Sequence, residues 1–272
     1  MAVPSHALAA RASLRRASSV ASLAGAGVVW VVLLGPVIAL LSHLSPAAVV
    51  RSLGAPGALG PLAVSLEASA LSLAVLVVVA TPLAYLLAHG RLPGVRWWEA
   101  GLLVSLLMPP LVIGLLLVFM VGPATPIGGL LGGLHLSATN TFLALVVAEV
   151  YEAAPYYVLG AEAAFASVDR HLEEQAGLLG DPPRRVMRRV TLPLAAPGLA
   201  TALATGWARA IGAFGAVIII AYHPYGLPMQ IWTTLDETGL ASALPFALVL
   251  LVVALPLPLL AYGWSARARA RH

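Results

Sequence analysis

Some of the charged side chains of this sequence lie within long apolar segments. Arg209 lies among small and apolar residues, and Glu149 and Glu152 lie in the apolar segment before it. A charge inside an apolar medium is costly, so Arg209 should face either a partner or water. Two alternatives follow. Arg209 lines an aqueous path and attracts an anion, with the glutamates facing the same water, or it forms an internal salt bridge with one of them.

Residues for covalent catalysis or metal binding form no pattern here. There is no cysteine, which excludes a thiolate ligand, a cysteine nucleophile and a disulfide. There is no lysine either, so a standard phosphate-binding loop ending in Gly-Lys-Ser/Thr is absent. His43, His89, His135 and His223 lack the spacing of a metal site. We therefore predict that the chain is not an enzyme, with no catalytic residue, metal or cofactor of its own.

One strongly polar segment, residues 165–192, stands out from the apolar remainder. Asp169 can cap a short helix, and Gly180 can adopt the left-handed conformation that ends it. Pro182 and Pro183 then prevent its continuation. A second, basic helix is expected over Arg184–Arg189. The segment is therefore predicted to be a helix–turn–helix.

An apolar stripe runs along the first of these two helices. Leu172, Ala176 and Leu179 recur at the spacing of one helical face. Such a hairpin could lie on lipid, with its arginines meeting anionic headgroups. Alternatively, the apolar residues could enter a groove of a soluble partner, with charges setting the register. The pattern alone leaves both possibilities open.

The elements that must position these residues are membrane helices. The chain has 272 residues, is 60% hydrophobic and only 10% charged, which a soluble domain of this length could not accommodate. Its apolar runs show no alternation, so an all-α integral membrane protein is predicted. Six segments are long enough to span a bilayer: residues 23–44, 62–88, 99–121, 138–164, 194–221 and 244–264.

The arginines predict the orientation of these spans. With a cytoplasmic N-terminus, thirteen of the fifteen basic residues lie inside, Arg51 lies outside and Arg209 lies within a span. Membrane proteins typically carry such an excess of basic residues in their cytoplasmic loops. An even number of spans then places both termini inside. Residues 1–22 are then a poorly ordered cytoplasmic tail and 265–272 a basic one, around a membrane domain over 23–264. The basic residues fit this topology better than nucleic-acid binding.

The polar segment resembles the EAA motif of the permease subunits of ABC importers. That motif has Glu-Ala-Ala, a Gly six residues after the Glu, an aliphatic residue ten further on, and Leu-Pro shortly after. The matching residues are Glu174, Gln175, Ala176, Gly180, Val190, Leu192 and Pro193. Gln175 departs from the usual Ala, and Val190 from the usual Ile. The resemblance implies a type I importer permease fold. It also implies that this loop, including Leu172, Glu173 and Leu179, contacts an ATPase subunit.

The fifth apolar segment resembles that of the molybdate and tungstate permeases within this class. They share an Arg-Ala-x-x-x-Phe-Gly-Ala stretch followed by Ala-Tyr-x-Pro. The matching residues are Arg209, Ala210, Phe214, Gly215, Ala216, Ala221, Tyr222 and Pro224. Many such relatives have Glu before the Phe-Gly, where this chain has Ala213. Phe214, between glycines, is a candidate gate or a packing residue.

The resemblance also implies partners and a location. These are a second permease copy, two ATPase subunits that bind ATP and Mg²⁺, and an external oxyanion-binding protein. The assembly would reside, surrounded by lipid, in the plasma membrane of a prokaryote. A sulfate or thiosulfate permease is a close alternative. An ion-coupled secondary transporter and a membrane enzyme are more distant ones. The enzyme would need a nucleophile or metal beside Glu149, Glu152 and Arg209.

Overall fold

The computed structural model describes residues 5–269, with side chains described for 22–268, and this part is helical without strands. The predicted all-α class is thereby confirmed. One turn, Met187–Thr191, is π-helical. The α-helices are α1 Ser5–His43, α2 Pro46–Leu53, α3 Gly60–Ala88, α4 Val95–Leu107, α5 Pro110–Val121, α6 Pro126–Gly133, α7 Phe142–Ala166, α8 Arg170–Leu178, α9 Pro183–Val186, α10 Leu192–Ile211, α11 Val217–Ile220, α12 Leu227–Thr238, α13 Leu240–Ala254 and α14 Pro256–Arg269.

Two compact units make up the chain, Met1–Val50 and Arg51–His272. Helix α1 belongs to the first, and its Ser22–His43 part has a mean hydropathy of 2.4 with no residue buried. An apolar surface exposed all round suits lipid, so this part matches the first predicted span. The helix begins at Ser5, so residues 5–21 of the predicted tail continue it. Residues 1–4 and 270–272 lie outside the described part.

Among the residues that the structure describes, four helical stretches are long and apolar enough to cross a membrane on their own: Ser22–His43, Gly60–Ala88, Phe142–Ala166 and Leu240–Ala268. The last of these runs through α13 and α14. A fifth candidate is the pair α4 and α5, which bends by 117° at its break. The third predicted span was expected to be one helix over 99–121. The extended Met108 and Pro109 separate two helices instead, because a proline both lacks an N–H and disfavours a helical residue before it.

The fifth predicted span, 194–221, is not among these candidates. Its helix α10 ends at Ile211, and only the short α11 follows the break. Helix α10 contains many small residues, and these allow it to pack closely on α7. A Cβ on Gly198 would lie 2.6 Å from the Cβ of Ala164, for example. Small residues at such contacts are typical of membrane helix packing. Apolar length therefore identifies four or five of the six predicted spans, and α10 is identified by its packing.

Helix α7 lies at the centre of the second unit and contributes to both clusters of buried residues. One cluster joins it to α5 and α11, and the other joins it to α3 and α10. Two further helices lie between predicted spans: α6 follows the third span, and α12 follows the fifth. Helix α12 is fixed to α3, since the Leu227 N–H donates to the buried Ser65 hydroxyl at 2.8 Å. The core thus holds α7 and α10 side by side, and their charged residues meet.

Candidate functional site

The first helix and the turn of the polar segment 165–192 form as the sequence predicts. The second, basic helix is α-helical only over Pro183–Val186 and continues as the π-helical turn Met187–Thr191. The Asp169 carboxylate accepts a hydrogen bond from the His171 N–H at 2.9 Å and caps α8. Gly180 has φ +93°, a left-handed conformation that side chains disfavour. The chain then turns at Pro182, and α9 begins at Pro183. We call residues 169–191 the cytoplasmic hairpin, after the side of the membrane on which the arginines predict it to lie.

The tip of this hairpin exposes apolar side chains. Leu178 and Leu179 are 88% and 90% exposed, Leu172 is partly exposed, and Ala176 is half-buried. Leu178 lies beside the predicted stripe, one position before Leu179 at the helix end. The two neighbouring leucines form a small exposed apolar patch at the tip of the hairpin.

The hairpin is tied to the end of α3 by Glu173. One oxygen of its carboxylate lies 3.0 Å from His89 Nε2, and the other accepts a hydrogen bond from the Thr191 hydroxyl. Beside this contact, Arg170 donates to the Ala88 carbonyl at 3.0 Å. Glu173 thus connects three segments: α8, the end of α3, and the turn that leads into α10.

The two ring nitrogens of His89 face different acceptors. Its Nδ1 lies 2.9 Å from the Tyr85 carbonyl oxygen, while Nε2 faces the Glu173 carboxylate. Burial raises the pKa of Glu173, but the hydrogen bonds of Thr191 and His89 and the charges of His89 and Arg91 outweigh it. The pKa of Glu173 is therefore below its ordinary value of 4.5.

Glu174, the acid of the motif itself, behaves differently from its neighbour. Its side chain is 69% exposed and lies 3.6 Å from His171, whereas that of Glu173 is 13% exposed. Sequence reasoning missed His89 and Thr191 as partners of Glu173. The available signal was the position of His89 at the predicted inner end of the second span, beside the polar segment.

Inside the bundle, Arg209 and Glu152 form an ion pair. The Arg209 Nη2 lies 2.8 Å from one Glu152 oxygen, and the Glu152 side chain is 1% exposed. Arg209 is 32% exposed and also lies over the Tyr156 ring, 5.5 Å from its centroid. Of the two alternatives for Arg209, the structure has the salt bridge between α7 and α10, and one side of the guanidinium remains open.

Glu149, one turn earlier on α7, is separate from this pair. It is 2% exposed, and its carboxylate accepts a hydrogen bond from Ser72 at 3.2 Å. Ser72 lies on α3, so Glu149 connects α7 to that helix. The ion pairs found within residues 22–268 include none for Glu149. The two predicted path glutamates therefore contact different helices.

Phe214 lies in the break between α10 and α11. It is half-buried, with its ring 5.7 Å from that of Trp232. The next residue, Gly215, approaches Pro110 so closely that an added Cβ would lie 2.4 Å from the proline side chain. The break in the fifth segment therefore touches the break in the third. Interrupted membrane helices of this kind persist where protein covers them or where they line a path.

Known proteins similar to this chain agree with this architecture. Residues 80–270 match the family described as "Binding-protein-dependent transport system inner membrane component". A probable molybdenum ABC transporter permease protein of Haloferax volcanii is 39% identical over 238 residues, 88% of this chain and 87% of that protein. A molybdenum transport system permease protein of Mycobacterium tuberculosis is 32% identical over 203 residues, 73% of this chain and 76% of its own length.

A solved structure is similar in fold. The bacterial alginate ABC transporter in complex with its alginate pentasaccharide-bound periplasmic protein gives a TM-score of 0.71 at 18% identity. The match covers 94% of this chain and 96% of that one. It confirms the predicted permease fold. With residues 80–270 matched, the chain belongs to the family of binding-protein-dependent transport system inner membrane components.

Proposed function

We propose that this chain is the membrane-spanning subunit of an ATP-driven importer for an oxyanion, molybdate or tungstate. The observation that carries the proposal is the cytoplasmic hairpin, which exposes two leucines at its tip and is tied to the bundle by Glu173. Membership of the family and the names of the two relatives support it. The substrate follows from those names and from the Arg209 segment.

Motion of the hairpin has a direct route into the bundle. An ATPase subunit that binds Leu178 and Leu179 would move α8, and Glu173 would carry that movement to His89 and Thr191. Thr191 immediately precedes α10, which packs on α7 and carries Arg209. ATP and Mg²⁺ bind in the ATPase, and this chain performs no covalent chemistry. Alternating access results when the helices shift as packed bodies.

The path lies along the breaks of the third and fifth segments. The exposed side of Arg209 offers a positive charge to an oxyanion, and Phe214 at the break is the candidate gate. Glu152 neutralises much of that charge, which favours rapid passage over tight binding. Glu149 would influence the path only through its contact with α3.

The full assembly contains further partners. Two copies of this permease, two ATPase subunits and an external oxyanion-binding protein would work together in a prokaryotic plasma membrane. The alginate transporter, solved with its periplasmic protein, supports an external binding protein by analogy of fold.

The test is co-purification with the ATPase encoded nearest this gene, followed by ATP hydrolysis in proteoliposomes. Hydrolysis should rise when the molybdate-loaded binding protein is added. A Glu174→Ala, Gly180→Pro variant should lose this response, because proline cannot adopt the φ of +93° found at Gly180. Glu237→Ala changes another exposed glutamate, in the predicted outer loop, and is the control for the Glu174→Ala substitution.

Each outcome assigns a different conclusion. A wild-type chain that binds no ATPase contradicts the importer, and an ion-coupled transporter becomes the better description. A complex that responds only to sulfate-loaded binding protein contradicts the substrate and leaves the importer intact. A Glu237→Ala variant that fails in the same way as the hairpin variant removes the specific role of the hairpin.

A further inference from the structure

We infer that Glu152 is a positioning residue that holds the break in the fifth segment closed by binding both of its sides. One oxygen of its carboxylate lies 2.8 Å from Arg209 Nη2, and the other accepts a hydrogen bond from the Ala216 N–H at 3.2 Å. Arg209 lies near the end of α10, and Ala216 immediately precedes α11. Glu152 on α7 therefore bridges the two helices across the interruption.

Glu152 replaces a hydrogen-bond partner that the backbone loses at the break. An interrupted helix leaves backbone groups without their usual partners, and burying such a group is costly. Ala216 is fully buried, and Glu152 supplies the acceptor for its N–H. The negative charge that does so is itself balanced by Arg209. A single buried carboxylate thus satisfies one donor on each side of the break.

The geometry of the break fixes the candidate gate. Phe214 lies between the two bridged residues, with its ring against Trp232. Gly215 is held against Pro110, and Ala213 is 4% exposed. When the bridge is intact, Ala216 is held close to Arg209 and this segment is closed. When one side of the bridge is lost, the segment between them gains freedom to move and admit water.

Replacing Glu152 with glutamine exchanges one carboxylate oxygen for an NH₂ group. The substitution should remove one of the two contacts of Glu152 while leaving the side-chain volume unchanged. A carboxylate accepts hydrogen bonds on both oxygens, whereas the amide of glutamine accepts on one atom and donates from the other. In Glu152→Gln, the amide NH₂ must therefore face either Arg209 or the Ala216 N–H, both of which are donors. Glu162→Gln makes the same exchange ten residues further along α7 and leaves the bridge intact.

The absence of cysteine from the sequence allows a direct measurement of opening. Ala213→Cys places a unique thiol in the break, and Ala161→Cys places one at a fully buried position of α7. Each is combined with Glu152→Gln or with Glu162→Gln, and its reaction with a membrane-impermeant maleimide is timed. Thiols react as thiolates, so labelling reports access of water. The inference deepens the proposed function, but the measurement uses neither ATP nor substrate, so it can fail while the importer stands.

Faster labelling is expected only for the Ala213→Cys thiol, and only when it is combined with Glu152→Gln. Labelling of the Ala213→Cys thiol should be about tenfold faster or more with Glu152→Gln, since loss of a charge-assisted hydrogen bond shifts an opening equilibrium by roughly that factor. Glu162→Gln should leave the rate unchanged, and Ala161→Cys should stay unreactive in both backgrounds. Unchanged labelling of Ala213→Cys with Glu152→Gln overturns the inference. Faster labelling at both cysteine positions also overturns it, because the bundle has then loosened as a whole.

Discussion

Two glutamates, one in the cytoplasmic hairpin and one inside the bundle, solve the same structural problem in different surroundings. Glu173 divides its oxygens between His89 and Thr191, and Glu152 divides its own between Arg209 and the Ala216 N–H. Each carboxylate thereby connects segments that are distant in sequence. Their partners and their access to water differ.

That difference separates a connection that can adjust from one that cannot. Glu173 lies in the hairpin with its side chain 13% exposed, and its partners are an imidazole and a hydroxyl. Glu152 is buried and pairs with a guanidinium, which keeps its charge at any ordinary pH. The hairpin connection therefore suits an element that moves with a partner. The interior connection suits a break that must keep its shape between transport events.

The largest effect should come from leaving the interior carboxylate without its cation. Arg209→Ala removes the partner of Glu152 and leaves a buried, uncompensated charge. Breaking a buried ion pair in this way costs about 3–5 kcal/mol, so we expect a large loss of stability. Thermal unfolding in detergent and the yield of monodisperse protein measure it.

Two further variants make this result specific to the interior pair. Arg209→Ala combined with Glu152→Ala removes both charges and should recover part of the lost stability, as in a double-mutant cycle. Arg185→Ala removes an exposed pair with Asp181 and should change stability by less than about 1 kcal/mol. Equal losses for Arg209→Ala and Arg185→Ala would show that the interior pair contributes no more than a surface one.

How far the sequence predicts these two sites depends on the distance between their parts. The hairpin follows from local signals, because Asp169, Gly180 and the two prolines act on their immediate neighbours. The partners of Glu173 were missed because His89 lies 84 residues away. The resemblance to the EAA motif also drew attention to Glu174, whose side chain faces solvent.

The interior site shows the same limit in another form. Arg209 and two acids could be recognised as costly in a membrane, yet the sequence could not choose between Glu149 and Glu152. The second partner of Glu152 is a backbone N–H, which no residue type reveals. The sharp bend at Pro109 likewise depends on packing, since a proline predicts a kink but not its angle.

A smaller effect is expected when the hairpin loses its connection to α3. Glu173→Gln keeps the shape of the side chain but removes the carboxylate charge that faces His89 and Thr191, at a cost of about 1.5–3 kcal/mol for a charged hydrogen bond. We expect the complex to bind the ATPase and hydrolyse ATP while less oxyanion is transported per ATP. Proteoliposome assays of both quantities measure this ratio. A proportional fall in hydrolysis and transport would instead place Glu173 in ATPase binding.

Acid should weaken the hairpin connection in a predictable direction. Because the pKa of Glu173 is lowered below 4.5, its contribution is fully present above that value and is lost as the pH falls through the lowered pKa. Hydrogen exchange of residues 170–191 should therefore show less protection on acidification below about 4.5. The Glu173→Gln variant is the control and should lack this step. The same step in both proteins would assign it to another group.

The smallest effect on stability is expected next to the hairpin connection. Glu174 is 69% exposed and has one weak contact with His171, so Glu174→Gln should change the free energy of unfolding by less than about 0.5 kcal/mol. Any functional loss should then appear in the affinity for the ATPase, because an exposed charge acts on a partner and Glu173 acts on the bundle. Titration of the ATPase against both glutamine variants compares them directly. Weaker binding for Glu174→Gln, with binding by Glu173→Gln intact, would assign partner recognition and transmission to adjacent residues. The reverse pattern would exchange these roles and remove the parallel between Glu173 and Glu152.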